Sequence, residues 1–200
     1  MSVKHPIISV TGSSGAGTST VKHTFEQIFR RENVRAVSIE GDAFHKYDRA
    51  AMKAELERRV KSGDSTFSHF SFDANILEEL EAVFRSYGES GTGKTRNYIH
   101  NQEEADNFDT LPGKFTEWRE IEQNSDLLFY EGLHGAVVND KVNLAQYADL
   151  KIGVVPVINL EWIQKIHRDR ATRGYTTEDV TDTILRRMHA YVHCIIPQFT

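Results

Sequence analysis

The sequence predicts an α/β protein: a mostly parallel sheet with helices on both faces. Three observations lead there. Short apolar, β-branched runs alternate with stretches of helical period. A glycine-rich turn joins the first run to the first helical stretch. Acids, Asp42 and Glu131, directly follow two of the runs, at the strand ends where such sheets bind ligands.

Residues 7–11 read as a buried strand and residues 12–17 as a loop. Val21, Phe25, Ile28 and Phe29 recur at helical spacing, which predicts a helix over 18–31. Residues 34–39 form a second strand, ending at Glu40-Gly41-Asp42, and 50–61 a mostly polar helix. Ile76, Leu77, Leu80, Val83 and Phe84 mark the next amphipathic helix. Residues 88–100 read as a hairpin or loop, and 101–113 as an acidic surface loop closed by Pro112-Gly113. Strands follow over 127–130 and 152–155, then a helix over 160–170. A last helix is marked by Ile184, Leu185, Met188, Tyr191 and Val192.

A chain of 200 residues with 39% hydrophobic and 26% charged residues suits one globular domain over 1–200. Cys194 is the single cysteine, so no intrachain disulfide forms, and no apolar run reaches membrane-spanning length. The expectation is a cytoplasmic protein that binds neither membrane nor nucleic acid. The net charge of −5 is uneven: residues 101–126 carry eight acids, whereas 165–173 concentrate Lys165, Arg168, Arg170 and Arg173 around Asp169. One basic segment in an acidic protein suits a small anionic ligand.

A phosphate-binding P-loop is written G-x-x-x-x-G-K-[ST], and two segments compete for it. Residues 88–95, Gly88 to Thr95, match every letter, whereas 12–19 place Thr18 where the lysine belongs. The device requires a strand that delivers a loop of N–H groups and a helix whose positive end faces the phosphates. Residues 12–19 have both, and 88–95 have neither. Gly12, Ser13, Ser14, Gly15, Ala16, Gly17, Thr18, Ser19 and Thr20 are therefore the ATP-binding candidates, with 88–95 a glycine-rich hairpin. The missing lysine, which would contact the β- and γ-phosphates, calls for another cation, and Lys165 with its neighbouring arginines can supply one. Ser19 remains to hold Mg²⁺.

Asp42 stands where an acceptor hydroxyl would sit and can take its proton; an N-cap is the plainer alternative. Glu131 occupies the strand end where an acid assists Mg²⁺. Lys165, Arg168 and Asp169 share a helix face ahead of Arg173 and Gly174, either as a solvated surface or as a lid closing on phosphates. His45 and Arg49 can bind an acceptor's phosphate or belong to a polar loop. His100, a lone histidine, is more often structural and ranks last among the substrate-binding candidates.

Taken together, the segments Ile8–Ser19, Glu40–His45, Phe67–Phe70, Phe129–Gly135, Pro156–Trp162, His167–Arg170 and Arg173–Tyr175 resemble phosphoribulokinases of the bacterial type, from end to end of the chain. The resemblance implies a P-loop NTP hydrolase-like three-layer sandwich acting on ATP and D-ribulose 5-phosphate. The product would be ribulose 1,5-bisphosphate, the CO₂ acceptor of the Calvin cycle. It implies Asp42 as base, Asp169 and Lys165 as catalytic helpers, and His45, Arg49, Arg168 and Arg173 on the sugar phosphate. Thr18 is typical of this type. Members are tuned by NADH and AMP, form homo-oligomers and run beyond residue 200, so this chain is expected to be short relative to its family. A uridine kinase-like enzyme would share the loop and Asp42 without needing the phosphate-binding residues. A non-catalytic nucleotide-binding regulator would bind ATP without turnover.

Overall fold

The computed structural model describes residues 4–200. In chain order the elements are β1 (Ile7–Gly12), α1 (Thr18–Arg31), β2 (Ala36–Glu40), α2 (Arg49–Lys61), α3 (Leu77–Ser90), β3 (Lys94–Thr95), α4 (Gln102–Phe108), β4 (Arg119–Glu120), β5 (Leu127–Gly132), β6 (Leu150–Val154), α5 (Ile158–Arg173) and α6 (Thr177–Ala190). β1, β2, β5 and β6 form a parallel sheet in the order β2-β5-β1-β6. β1 and β5, the two most buried strands, lie inside it, as strands covered on both faces require.

Helices cover both faces, as the periodicity predicts. On one, the α1 stripe Val21, Phe25 and Phe29 packs on Val10 and Phe129. The Phe25 and Phe29 ring centroids lie 5.2 and 5.7 Å from that of Phe129. On the other face, Leu77, Leu80, Val83, Phe84 and Tyr87 of α3 close over Ile7, Ile39, Leu128 and Tyr130. Each seam removes apolar area from water, at about 25 cal/mol per Å², and so stabilises the sheet.

The register places the chemistry. Val10 pairs with Glu131 and Thr11 with Gly132, while Glu40 also faces Glu131. The carboxyl ends of β1, β2 and β5 therefore lie side by side, which brings the loop after Gly12, the turn after Glu40 and the Glu131 side chain to one edge.

The structure departs from the sequence reading in three places. The acidic stretch expected as a loop contains α4, capped by Asn101, whose side chain accepts the Glu104 N–H at 2.9 Å. Only Ala105 of this helix is buried, so no apolar stripe announces it. Gly88–Ser90 are the last turn of α3, and Gly91 ends it at φ 71°. α5 runs longer than predicted, through Arg173 to a left-handed Gly174. The boundaries of β2, β5 and β6 shift by one or two residues.

Candidate active site

The loop between β1 and α1 turns through two left-handed glycines, Gly15 at φ 110° and Gly17 at φ 102°. Side chains are strained there, which explains glycine at both positions. Gly15 also has no room for one: a Cβ would lie 2.9 Å from the Cβ of Lys165 on α5. α1 then begins at Thr18 with no side-chain cap and no acid in its first turn. Its first N–H groups are left for an anion, and the helix dipole points the same way. Ser19 and Thr20 stand exposed at this end, while Ser13 is buried.

α5 lies directly against the loop. Lys165 Nζ is 3.5 Å and Arg168 Nη2 3.1 Å from Ser14 Oγ. Ser13 Oγ donates to Glu161 Oε1. Two cationic side chains from a different helix therefore stand at the loop, beside Ser14. Asp169, itself buried, organises these charges: it accepts from Lys165 at 2.7 Å and from Arg168 at 2.9 Å, and Arg173 stands 3.3 Å away. Burial, together with the nearby Arg187, pushes Lys165 down to about 8 against the support of Asp169. Burial pushes the Glu161 carboxyl up, and the Ser13 hydroxyl partly offsets this. The basic segment is therefore a docked helix with a buried ion network, rather than only a solvated charged face.

Asp42 sits in the 3₁₀ turn Gly41–Phe44 after β2. His45 Nε2 lies 3.2 Å from one carboxylate oxygen and His100 Nε2 3.5 Å from the other. Burial pushes the Asp42 carboxyl up, but His45 and then His100 outweigh it and hold the group well below the usual range. It is ionised at neutral pH. His100 is brought in by the strand-like stretch after β3, and Arg49 at the start of α2 fastens it there by donating to its carbonyl at 2.8 Å.

Glu131, near the end of β5, stands beside Thr18 at the start of α1. Its carboxyl is pushed up by burial and, further, by Asp42 and Glu40, against the pull of Thr18 and Lys22. Lys22, one turn along α1, bridges to Glu40. Glu131 and the Ser19 hydroxyl are hard oxygen donors on this open edge, the kind of residues that would hold Mg²⁺. Among the described residues, no three His, Cys, Asp or Glu side chains converge into a closed metal cage.

Several residues here escaped the sequence reading. Arg187 on α6 lies within the field of both Asp42 and Asp169, linking the two charge clusters; burial pushes it down to about 10. Burial also lowers His69, beside it, so that it is neutral. The Tyr98 ring stands edge-on to His100 at 4.9 Å. Arg96 donates to the carbonyls of Ala43 and His45 at 2.8 Å each, with its guanidinium 3.7 Å from the Phe115 centroid. The asparagine at 75 holds His45. His69 lies in the Phe67–Phe70 segment that carries the resemblance, whereas no local motif marks Arg187, Tyr98, Arg96 or Asn75. By contrast, Lys94 of the literal P-loop match is exposed in the β3–β4 ribbon, 3.4 Å from Glu120.

A sequence profile of the Phosphoribulokinase / Uridine kinase family matches residues 7–200. The chain is 75% identical over 200 residues to "Phosphoribulokinase 1" of Cereibacter sphaeroides, covering all of this chain and 69% of that protein. It is 67% identical over 196 residues to the phosphoribulokinase of Nitrobacter vulgaris, covering 98% and 68%. A solved phosphoribulokinase from Rhodobacter spheroides superposes with a TM-score of 0.84 at 72% identity, covering 98% of this chain and 67% of that one. The chain spans about two thirds of the length of these relatives.

Proposed function

We propose that this chain, which belongs to the phosphoribulokinase / uridine kinase family, phosphorylates the C1 hydroxyl of D-ribulose 5-phosphate with ATP. It is a kinase whose acceptor is a sugar hydroxyl. The observation that carries the substrate is 75% identity to a phosphoribulokinase across the full chain. Residues 12–20 cradle the ATP phosphates with backbone N–H groups and the α1 dipole. Ser19 and Glu131 would hold Mg²⁺, which would neutralise phosphate charge when bound.

Asp42 accepts the C1 hydroxyl proton as that oxygen attacks the γ-phosphorus. The O–P bond forms while the bond to the β-phosphate oxygen breaks, and ADP leaves. An ionised Asp42 at neutral pH supports this role. Lys165 and Arg168, beside Ser14, stabilise charge on the transferring group, and Asp169 orients them. Arg49, Arg168 and Arg173 bind the acceptor's own phosphate, and His45 and His100 add their rings beside Asp42 where the acceptor docks, a division that suits an anionic substrate. Among the described residues no helix is long and apolar enough to cross a membrane. A cytoplasmic homo-oligomer belongs with this reading.

The test is ADP release from Mg-ATP with ribulose 5-phosphate, with uridine, or with no acceptor. Release that depends on ribulose 5-phosphate is the expected result. Equal release with uridine, or none with folded protein, overturns the assignment.

A further inference from the structure

His45 sits between two hydrogen-bond acceptors. Its Nε2 faces the Asp42 carboxylate at 3.2 Å, and its Nδ1 lies 2.7 Å from Oδ1 of Asn75. Asn75 stands just before α3, and both it and His45 are 6% exposed. An asparagine normally offers either end of its amide to a partner. Here that freedom is removed, because Asn75 Nδ2 donates to the carbonyls of His69 at 3.0 Å and Ser71 at 2.8 Å. Flipping the amide would set Oδ1 against those two carbonyl oxygens. The oxygen therefore points at His45. The backbones of the two residues also meet in an isolated antiparallel bridge.

From this geometry we infer that Asn75 is a positioning residue that keeps His45 doubly protonated, so that a fixed cation stands against the proposed base Asp42. A neutral imidazole has one N–H and can satisfy only one of its two acceptors; the other would face a lone pair. Only the imidazolium satisfies both. The surroundings are consistent. Asp42 is the carboxylate facing the ring, and burial lowers the basicity of His45 while Asp42 and Asn75 more than restore it. Arg187 opposes the charge, His69 is neutral at 5.3 Å, Tyr98 stands edge-on at 6.2 Å, and His100 occupies the other Asp42 oxygen. Arg96 binds the His45 carbonyl and so fixes the ring's backbone. The cation keeps Asp42 ionised and fixes one of its oxygens. It also adds positive charge where an anionic acceptor docks. This inference rests on the base role proposed for Asp42.

The test is the imidazole titration of His45 by NMR in the protein alone, followed by the pH–rate profile with ribulose 5-phosphate. In Asn75→Leu one acceptor is gone, and a neutral ring protonated at Nε2 still satisfies Asp42. The titration should move down by about one to two pH units, the size of an unmet buried acceptor. The cationic fraction at alkaline pH, and with it kcat/KM, falls about ten-fold or more. Asn75→Asp loses the two donors but keeps the acceptor. It should destabilise the turn as Asn75→Leu does while leaving the His45 titration as high as in the parent or higher. An unchanged titration in Asn75→Leu, or a downward shift in Asn75→Asp, overturns the inference. Because the titration needs no substrate, an error in the assigned acceptor would appear only in the rate profile.

Discussion

Replacing Lys165 with methionine should make the protein more stable and less active. The lysine is 5% exposed, and burial brings its ammonium from an ordinary value of 10.5 down to about 8. A gap of about 2.5 pH units, at 1.36 kcal/mol per unit, corresponds to roughly 3 kcal/mol spent holding the charge in the fold at neutral pH. Removing one partner of a buried pair normally destabilises by about 3–5 kcal/mol, because the other charge is stranded. Asp169 is not stranded, since Arg168 at 2.9 Å and Arg173 at 3.3 Å still neutralise it. Methionine keeps the apolar stem. The net expectation is a gain of about 1–3 kcal/mol, or a Tm higher by about 2–12 °C for a chain of this size. The pH dependence carries a second signature. The folded value lies below the unfolded one, so between pH 8 and 10.5 the unfolded chain holds more protons and the parent protein gains stability as pH rises. The variant lacks that rise, and its advantage should shrink across that window. Calorimetry at pH 7 and in steps toward pH 10.5, alongside kcat, measures both. A variant that melts lower at pH 7, or an advantage independent of pH, would falsify the account of Lys165 as a strained charge retained for chemistry.

Asp42→Asn should lower kcat by about 10²–10⁴ with little change in KM, since the neutral amide keeps the shape but cannot accept the proton; a rise in KM alone would make Asp42 a binding residue. Lys94→Ala should leave ATP binding and turnover intact and alter stability by under about 0.5 kcal/mol, because it breaks only an exposed pair with Glu120; lost ATP binding would return the phosphate site to residues 88–95. Arg96→Met should cost about 2–4 kcal/mol in denaturant unfolding, as two buried carbonyls of the Asp42 turn lose their donor and two aromatic rings lose a cation. An effect below 0.5 kcal/mol, an order-of-magnitude threshold for surface positions, would show that the turn holds itself.

The sheet and its covering helices were legible because they are written in local periodicity. Phe25 and Phe29 recur one helical turn apart, and both meet Phe129. The context that separates the two candidate phosphate loops was legible for a related reason: the strand before and the helix after residues 12–19 are themselves periodic signals, whereas the matching letters at 88–95 are not. α4 escaped because its signal is a cap, Asn101 with Glu104, rather than a stripe. The residues that complete the site escaped for a different reason. Asn75 acts on His45 across 30 positions, and Arg187 approaches His69 across 118. Their sequence neighbours constrain neither. Their roles follow from which strands are adjacent and from where α3 and α6 return to the edge, which composition and spacing do not encode.

The placement of the cation has its own consequence. A lysine inside the phosphate loop is present wherever the loop is folded. Here the loop carries Thr18, beside Glu131, and the Lys165 ammonium stands against it from α5, 3.5 Å from Ser14 Oγ. Its position depends on Gly15, which admits the backbone of α5 so closely that a Cβ would lie 3.0 Å from the Glu161 carbonyl oxygen. The glycine therefore does two things. It lets the loop take its left-handed turn, and it sets the distance at which Lys165 reaches Ser14. An alanine at 15 should consequently displace the lysine as well as strain the loop, and its loss of kcat should exceed its loss of ATP affinity. Turnover and nucleotide binding measured on Gly15→Ala separate the two effects; equal losses would mean that the loop alone had been damaged.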